Sequence, residues 1–311
     1  MYSPPWFLFN AHLETIYPSL FRSVDVKYER ERCTLPDGDF LDIDWLKGNS
    51  DSAVIISHGL EGNSHRAYVK GMAKAFLENG FDVIAWSFRG CSGEMNKTLR
   101  FYHSGATDDL SFIVRRALAK SYKKIFLVGF SLGGNLTLKF AGEQPMDSRV
   151  KGITVFSVPM DLHTSCLQIS RPSNWIYSKR FLNNLKRKIK DKAKVMNGLD
   201  ITGIDDITTL MDFDDRYTAP LHGFASAIDY YTKCSSIHFL RGIKTPTLIV
   251  NAKNDPFLSK ECFPDVEAVA NSAVKVEFPD HGGHVGFASF QRNGLYWSEQ
   301  RALEFFTQLG A

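Results

Sequence analysis

The chain has 311 residues, of which 44% are hydrophobic and 23% charged, and its formal net charge is +3. This is the composition of an ordinary globular protein, and so small a charge argues against nucleic acid as a partner. No apolar run is long enough to span a membrane, and the N-terminus lacks the features of a signal peptide. The five cysteines are scattered without a C-x-x-C pair, which favours reduced thiols and a cytoplasmic location.

The first predicted elements are strands. Residues 24–35 and 39–47 read as two strands joined by the turn Pro36-Asp37-Gly38. In the second strand, apolar and acidic residues alternate, which predicts one exposed face. Residues 53–57 form a short, continuous apolar run, typical of a buried parallel strand.

Helices and strands then alternate along the chain. A helix with an apolar face over 69–77 is predicted to end at Gly80, and another begins with Thr107 or Asp108 as its cap. The predicted strands in this region are 81–86, 125–128 and 152–158, and a further helix ends near Gly142. This alternation predicts an α/β protein with a mostly parallel sheet flanked by helices.

The alternation stops at Pro159 and resumes with a strand at 247–250. The residues between have a mainly helical pattern, so we expect a helical cap insertion over 159–240 that covers the carboxyl edge of the sheet. The core is then formed by residues 1–158 and 241–311. Its last predicted elements are a helix near 262–271, a strand at 274–278 and a final helix with Ala302, Leu303, Phe306 and Leu309 inward.

The pentapeptide Gly129-Phe-Ser131-Leu-Gly133 lies between a predicted strand and a predicted helix. This context is typical of a nucleophile elbow, a sharp turn that exposes a serine at the start of a helix. Side chains at the flanking glycines would collide where strand and helix cross. Ser131 is therefore the predicted nucleophile.

A serine nucleophile needs a base and a group that orients the base. Asp255 follows the strand at 247–250, and His284 follows the strand at 274–278, which is the order Ser, acid, His. Asp255 is the predicted acid, although an Asp-Pro turn is the simpler reading of that position. His281 competes with His284 as the base, and the Gly-flanked loop around His284 favours the latter.

An acyl-transfer intermediate also needs donors for its oxyanion. The backbone N–H groups of Leu60, in the loop after the strand at 53–57, and of Leu132, directly after the nucleophile, are the predicted pair. Gly59 would allow the backbone to approach closely. His58 is interpreted as a structural residue that bonds to its own loop.

Four segments together resemble the α/β-hydrolase superfamily, namely His58-Gly59, Gly129–Gly133, Asn254–Pro256 and Gly283–Gly286. Finer segments resemble the YheT-like family, which is related to the eukaryotic abhydrolase-domain lipases; these are Asn10–Pro18, Arg89–Gly93, Tyr102–Gly105, Phe213–Asp215 and Ser235-Ser236. The resemblance covers nearly the whole chain. It implies an α/β-hydrolase fold, hydrolysis or transfer of carboxylic esters, and a triad of Ser131, Asp255 and His284. Where the family motif reads Gly-His-Leu-Gln-Thr, this chain has Ala11-His-Leu-Glu-Thr15, a departure that touches no catalytic position.

The segment 171–194 has nine basic residues and one acidic residue. A cationic amphipathic helix of this kind can make weak peripheral contact with a membrane. The alternative, which we favour, is a cap helix with its apolar face on the active site and its lysines in water. Asp214 and Asp215 lack neighbouring His or Cys, so we expect caps or turns there and neither a metal nor a cofactor.

The main hypothesis is a serine hydrolase that acts on acyl esters, including lipid-derived ones, through an acyl-enzyme. An acyltransferase with the same triad is the closest alternative, because an alcohol can replace water in the second step. A non-catalytic hydrolase-fold binding protein is the alternative from another class. Acyl length, alcohol type and oligomeric state are left open.

Overall fold

The computed structural model describes residues 2–265, 271–290 and 294–310. Its centre is an eight-stranded sheet in the order β1-β2-β4-β3-β5-β6-β7-β8, with the first two strand pairs antiparallel and the others parallel. The strands are β1 Glu29–Thr34, β2 Phe40–Leu46, β3 Ser52–Ser57, β4 Asp82–Ser87, β5 Lys124–Phe130, β6 Val150–Phe156, β7 Thr247–Val250 and β8 Val274–Glu277. The predicted α/β class with a mostly parallel sheet is confirmed.

Helices cover both faces of this sheet. The helices that pack around it are α1 Ala11–Phe21, α2 Ala67–Glu78, α3 Thr107–Leu118, α4 Leu132–Glu143 and α10 Trp297–Gln308. Two separate apolar cores result, one on each face, since the strand residues that point to opposite sides pack against different helices.

The segment between β6 and β7 is helical and contains no strand. Its α-helices are α5 Leu162–Ile169, α6 Trp175–Ala193, α7 Leu210–Phe213, α8 Ala219–Leu221 and α9 Ala227–Cys234. Shorter helical turns are Pro172–Asn174, Ile204–Asp206 and Ser236–Gly242, and a π-helix spans Asp214–Thr218. The segment has an apolar cluster of its own, which also takes in Phe101 and Phe257 from the core. The turn Ser236–Gly242 packs against α4 and returns the chain to the sheet.

The prediction for the second strand was wrong in one respect, because β2 is buried along its whole length. Its acidic residues Asp42 and Asp44 do not face water. They accept hydrogen bonds from Arg32 and Arg30 of β1, each at 2.8 Å, so a paired charge replaces the exposed face that the alternation predicted. The first strand is also shorter than predicted and begins at Glu29 rather than at residue 24.

Two helix predictions also differ from the structure. Helix α3 begins after Ala106, and neither Thr107 nor Asp108 caps it with its side chain. The helix predicted near 262–271 is a single 3-10 turn over Lys260–Cys262 in the described part, and residues 266–270 lie outside the described residues. Helix α1, which the pattern did not predict, begins at an Asn10 side-chain cap.

Candidate active site

Ser131 occupies a strained turn between β5 and α4. Its φ is +52° and its ψ is −121°, and its N–H donates to the carbonyl oxygen of Phe156 at 2.9 Å. A Cβ added to Gly129 would lie 2.7 Å from the Gly133 oxygen, and one added to Gly133 would collide with the carbonyl of His58. The strand and helix cross this closely only because both positions are glycine, which is the geometry of a nucleophile elbow.

Ser131, His284 and Asp255 form a continuous hydrogen-bonded chain. The Oγ of Ser131 lies 3.0 Å from Nε2 of His284, and Nδ1 of His284 lies 2.9 Å from Oδ2 of Asp255. Asp255 is fully buried and also accepts the N–H of Phe257 at 2.9 Å. The Phe257 ring packs 4.2 Å from the imidazole. The carboxylate therefore orients the ring, and Nε2 is left to face the serine.

His281, the competing candidate for the base, lies elsewhere. Its side chain is about half exposed, and Nδ1 lies 3.1 Å from the carboxylate of Glu14. Among the described residues, its side chain forms no hydrogen bond with Ser131 or Asp255, and Nδ2 of Asn254 lies 3.4 Å from Nδ1. The structure thus brings His284, and not His281, to the serine.

The loop after β3 lies against the nucleophile. A Cβ added to Gly59 would lie 3.1 Å from the Cβ of Ser131, so a larger residue would press on the serine. His58 is buried, donates to the Gly59 oxygen and accepts the N–H of Phe88. Burial lowers the pKa of His58 to about 3, so this ring is neutral and holds the loop shape.

The two predicted oxyanion donors flank this position. Leu132 is the first residue of α4, where a backbone N–H has no partner within the helix. In the described structure, the N–H of Leu60 has no internal acceptor either. The positive end of the α4 dipole points the same way, which favours an anion beside Ser131.

A largely apolar cavity opens on one side of Ser131, with about 1080 Å³ of empty space including its opening to solvent. We call it the apolar cavity. Most of its lining comes from the helical segment between β6 and β7, including Leu162, Ile169, Leu185, Ile189, Leu210 and Phe213. Aliphatic and aromatic side chains of this kind suit an apolar ligand.

Several polar side chains also line the apolar cavity, and some of them are bonded to one another. Asp214, in the π-helix, accepts from the hydroxyls of Tyr231 at 2.6 Å and Thr218 at 2.5 Å. Burial raises the pKa of Asp214 to about 6. The His103 ring lies 4.6 Å from that of His222, and burial lowers the pKa of both.

A second opening reaches Ser131 from the other side, and we call it the polar cleft. Its lining includes the polar residues Arg22, Glu61, His65, Arg66, Arg180 and Asn184. The cavity and the cleft share Leu60, Ser131, Phe181, Phe257 and His284, so they meet at the nucleophile. An ester lying across this junction would have chemically different surroundings on its two sides.

Helix α1 braces the His284 loop, which the sequence analysis did not predict. The buried carboxylate of Glu14 accepts hydrogen bonds from the Gly282 N–H and from Nδ2 of Asn254, the latter at 3.0 Å. Thr15 accepts the N–H of His284 at 2.9 Å. The Gln-to-Glu departure therefore lies directly behind the loop that carries His284, although Glu14 bonds none of the three proposed catalytic residues. In the sequence, this role of Glu14 was indicated only by its place in the family-like segment Asn10–Pro18.

Asn135 of α4 joins two other segments of the chain through three hydrogen bonds. Its Nδ2 donates to the carbonyls of Ser104 at 3.0 Å and Cys234 at 2.8 Å, and its Oδ1 accepts the Ser236 N–H at 2.9 Å. The segments Tyr102–Gly105 and Ser235-Ser236 supported the family resemblance, and the structure gives them a shared partner. One side chain of α4 thus ties the carboxyl end of the helical segment to the Tyr102–Gly105 loop.

A polar contact also joins α6 to the loop of Leu60. Lys188 donates to Oε1 of Glu61 at 2.5 Å and lies 3.1 Å from the Cys91 sulfur. The Tyr102 hydroxyl donates to the same Glu61 oxygen at 2.7 Å and accepts the Glu61 N–H. The pattern of the basic segment did not predict this internal use of a lysine.

The described residues contain no group of three or more His, Cys, Asp or Glu side chains that could hold a metal ion. Asp215 accepts the Ala227 N–H at the start of α9 and so acts as a cap, whereas Asp214 accepts only from the side-chain hydroxyls of Tyr231 and Thr218. None of the described helices combines the length and apolar character needed to cross a membrane.

The sequence and the fold resemble those of known proteins. Residues 52–195 match the family model of the alpha/beta hydrolase fold. YheT of Escherichia coli (strain K12) is 34% identical over 309 residues, covering 96% of this chain and 90% of that protein. Phospholipase ABHD3 of Mus musculus is 26% identical, covering 92% of this chain and 73% of that protein.

The fold is also that of solved hydrolase structures. The esterase PF2001 of Pyrococcus furiosus superposes with a TM-score of 0.60 at 17% identity, and the match covers 92% of this chain and 91% of that one. At 17% identity, this match shows a shared fold and nothing about activity.

Proposed function

Because this chain belongs to the YheT-like family of α/β hydrolases and is a carboxylic ester hydrolase, we propose that it acts through Ser131, His284 and Asp255. The observation that supports this most is the 3.0 Å contact between Oγ of Ser131 and Nε2 of His284. His284 takes the serine proton as Oγ attacks the ester carbonyl, then donates it to the departing alcohol. Water releases the acid from the resulting acyl-enzyme by the same steps in reverse.

The backbone N–H groups of Leu60 and Leu132 are the proposed oxyanion donors. Both are free of internal acceptors as described above, and Gly59 allows the loop to approach the serine. Fixed donors of this kind stabilise the charge that develops in the transition state more than they stabilise the uncharged ester.

The proposed substrates are acyl esters, including lipid-derived ones, with residues 159–240 as the cap. The acyl chain would occupy the apolar cavity, whose walls this segment supplies, and the alcohol would occupy the polar cleft. The phospholipase relative supports a lipid-derived ester. An acyl chain gains binding free energy with each methylene that it buries.

Turnover of p-nitrophenyl esters tests this proposal. The Ser131→Ala variant should lose about 10⁶ in kcat, as is typical for a triad nucleophile. A fluorophosphonate probe should label Ser131 in the wild type and fail to label the folded Ser131→Ala protein. Substantial turnover by that variant would overturn the proposal. Adding an alcohol during turnover separates hydrolysis from acyl transfer, because only transfer yields a new ester.

A further inference from the structure

The N-terminal arm exposes a group of aromatic side chains. Trp6 is 90%, Phe21 69% and Phe290 59% exposed. They are joined through Phe7 and Tyr17, whose ring centroids lie 5.3 Å apart and contact the three exposed rings at 5.0–6.1 Å. Large apolar side chains that are exposed together, rather than singly, mark a surface that meets another phase or molecule.

The beginning of α6 exposes two more large apolar side chains, Trp175 at 59% and Ile176 at 56%. The adjacent Tyr177 stacks on His12 of α1 with ring centroids 5.7 Å apart, so the two helices stand side by side. Leu20 of α1 and Arg180 of α6 both line the polar cleft, and Leu20 is 65% exposed. The apolar residues therefore stand on two sides of the cleft mouth.

We call this set the rim surface, and it consists of Trp6, Leu20, Phe21, Trp175, Ile176 and Phe290. Its members come from the N-terminal residues through α1, from the start of α6 and from the loop after the candidate base. Leu20 lines the polar cleft, and Trp175 and Ile176 precede the cleft-lining residues Tyr177 and Arg180 on α6.

Positive charge accompanies the rim surface. In the C-terminal half of the basic segment most cations have a partner: Lys188 binds Glu61, Lys190 binds Asp205 and Lys194 binds Asp191. Lys192 is fully buried and donates to Asn96. Arg187 is the exception, since it is exposed and bonds only the side chain of Asn184.

The N-terminal half of the segment differs. Arg171, Lys179 and Arg180 are exposed, and no carboxylate of the described residues pairs with them. Lys179 lies 5.8 Å from the Trp175 ring, and Arg180 follows Ile176 by one helical turn. The unpaired cations thus lie beside the apolar part of the rim surface.

We propose that the rim surface docks on the surface of a bilayer that contains anionic phospholipids. Trp and Phe side chains insert at the level of the headgroups, and neighbouring Arg and Lys side chains bind anionic lipid. A soluble partner would have to match six apolar side chains and three unpaired cations around an open cleft, whereas a bilayer supplies both chemistries over its whole surface.

Docking through the rim surface turns the mouth of the polar cleft toward the lipid. An ester could then move from the bilayer to Ser131 without crossing water, a consequence that rests on the proposed function. The docking itself does not rest on it, since it depends only on the apolar and charged side chains of the rim.

Flotation with lipid vesicles tests the proposal on the whole chain. Vesicles of phosphatidylcholine that also contain phosphatidylglycerol should carry the protein, and vesicles of phosphatidylcholine alone should bind it more weakly, by about fivefold for each basic residue engaged. The double variant Phe21→Ser with Trp175→Ser should lose at least about tenfold in affinity, because two large apolar side chains no longer leave water.

A matched control is available at the other end of α6. Val195 is 69% exposed and lies next to Lys194, so Val195→Ser removes an exposed apolar side chain away from the rim. This variant should bind vesicles as the wild type does. Absence of wild-type binding to the anionic vesicles, or an equal loss in the control and the double variant, would overturn the proposal. Concentration-dependent self-association lost in the double variant, without vesicle binding, would replace the bilayer by a second copy.

Hydrolysis of a short, water-soluble p-nitrophenyl ester without vesicles separates the two proposals. The double variant should retain wild-type turnover of that ester, because neither residue lines the apolar cavity or the polar cleft. A protein that binds vesicles but hydrolyses no ester would overturn the proposed function and leave the docking surface standing. The reverse result would overturn only the docking surface.

Discussion

Thr15 accepts a hydrogen bond from the backbone N–H of His284 at 2.9 Å, although 269 residues separate them along the chain. The same hydroxyl donates to the Ala11 carbonyl at 2.7 Å, so helix α1 fixes the orientation of the Thr15 hydroxyl group. Beside it, Glu14 binds the N–H of Gly282. The N-terminal helix therefore holds the loop that carries the proposed base, and it is part of the site rather than an appendage.

Replacing Glu14 by Ala should lower kcat by about 10² while changing KM little, because a shift of the His284 loop by about 1 Å can cost that much. Glu14→Gln should recover most of the activity, since one amide oxygen still accepts hydrogen bonds. Steady-state kinetics with a soluble ester checks both variants, and thermal unfolding checks that each is folded. If Glu14→Ala were folded and fully active, the loop would not need this brace.

The two histidines of the loop should differ sharply. His284→Ala should lose about 10⁶ in kcat, comparable to loss of the serine, because residues that act as one unit each carry nearly the whole effect. His281→Ala should keep most of the activity, because the His281 side chain contacts Glu14 rather than Ser131 and is about half exposed to solvent. Turnover of p-nitrophenyl butyrate by the two variants makes the comparison. A larger loss in His281→Ala would reverse the assignment.

Acyl specificity should follow the apolar cavity. We expect kcat/KM to rise from acetate to medium or longer acyl chains, with each buried methylene contributing about 0.8 kcal/mol until the cavity is full. Leu185→Trp should remove the gain for the longest chains, because Leu185 lines the cavity. Leu167→Trp, at a half-exposed position outside the cavity, is the matched control. A flat chain-length series, or one that peaks at acetate, would contradict an apolar acyl site.

Asp214 should make stability depend on pH. Its folded-state pKa of about 6 lies above the ordinary value of 3.8, so its contribution is complete below about pH 4 and is lost as pH rises through about 6. The loss amounts to about 3 kcal/mol at 1.36 kcal/mol for each unit of pKa. The free energy of unfolding of the wild type, minus that of Asp214→Asn, should therefore fall over this range. Urea unfolding at several pH values measures it, and a constant difference would show that Asp214 is charged throughout.

Local patterns were sufficient for much of the fold. The strand at 247–250 has the predicted bounds, and β3 begins one residue earlier than the predicted 53–57, because buried parallel strands are short, continuous apolar runs. Ser131, Asp255 and His284 each follow a predicted strand. Since parallel strands point their carboxyl ends to one edge of the sheet, chain order alone was enough to predict that these side chains meet.

Other features depend on partners that are distant in the sequence. Alternation along β2 predicted an exposed face, but the cross-strand partners Arg30 and Arg32 bury the acidic side chains. Nothing local to Lys188 distinguishes it from Lys179, yet one binds Glu61 and the other remains in solvent. The sequence pattern around a charged residue indicates which secondary structure it belongs to. Whether its side chain is buried depends on whether the fold places an oppositely charged group beside it.

The sequence by itself therefore determined the α/β class, the elbow and the order of the candidate triad, all of which follow from periodicity and from residue types at strand ends. The sequence favoured His284 over His281, but only the tertiary structure shows the contacts that separate them, because Glu14 of α1 binds His281 and Thr15 binds the N–H of His284. The tertiary structure also decided which cations remain free around the polar cleft. These are contacts between segments far apart in the chain, and no local pattern encodes the partner that packing supplies.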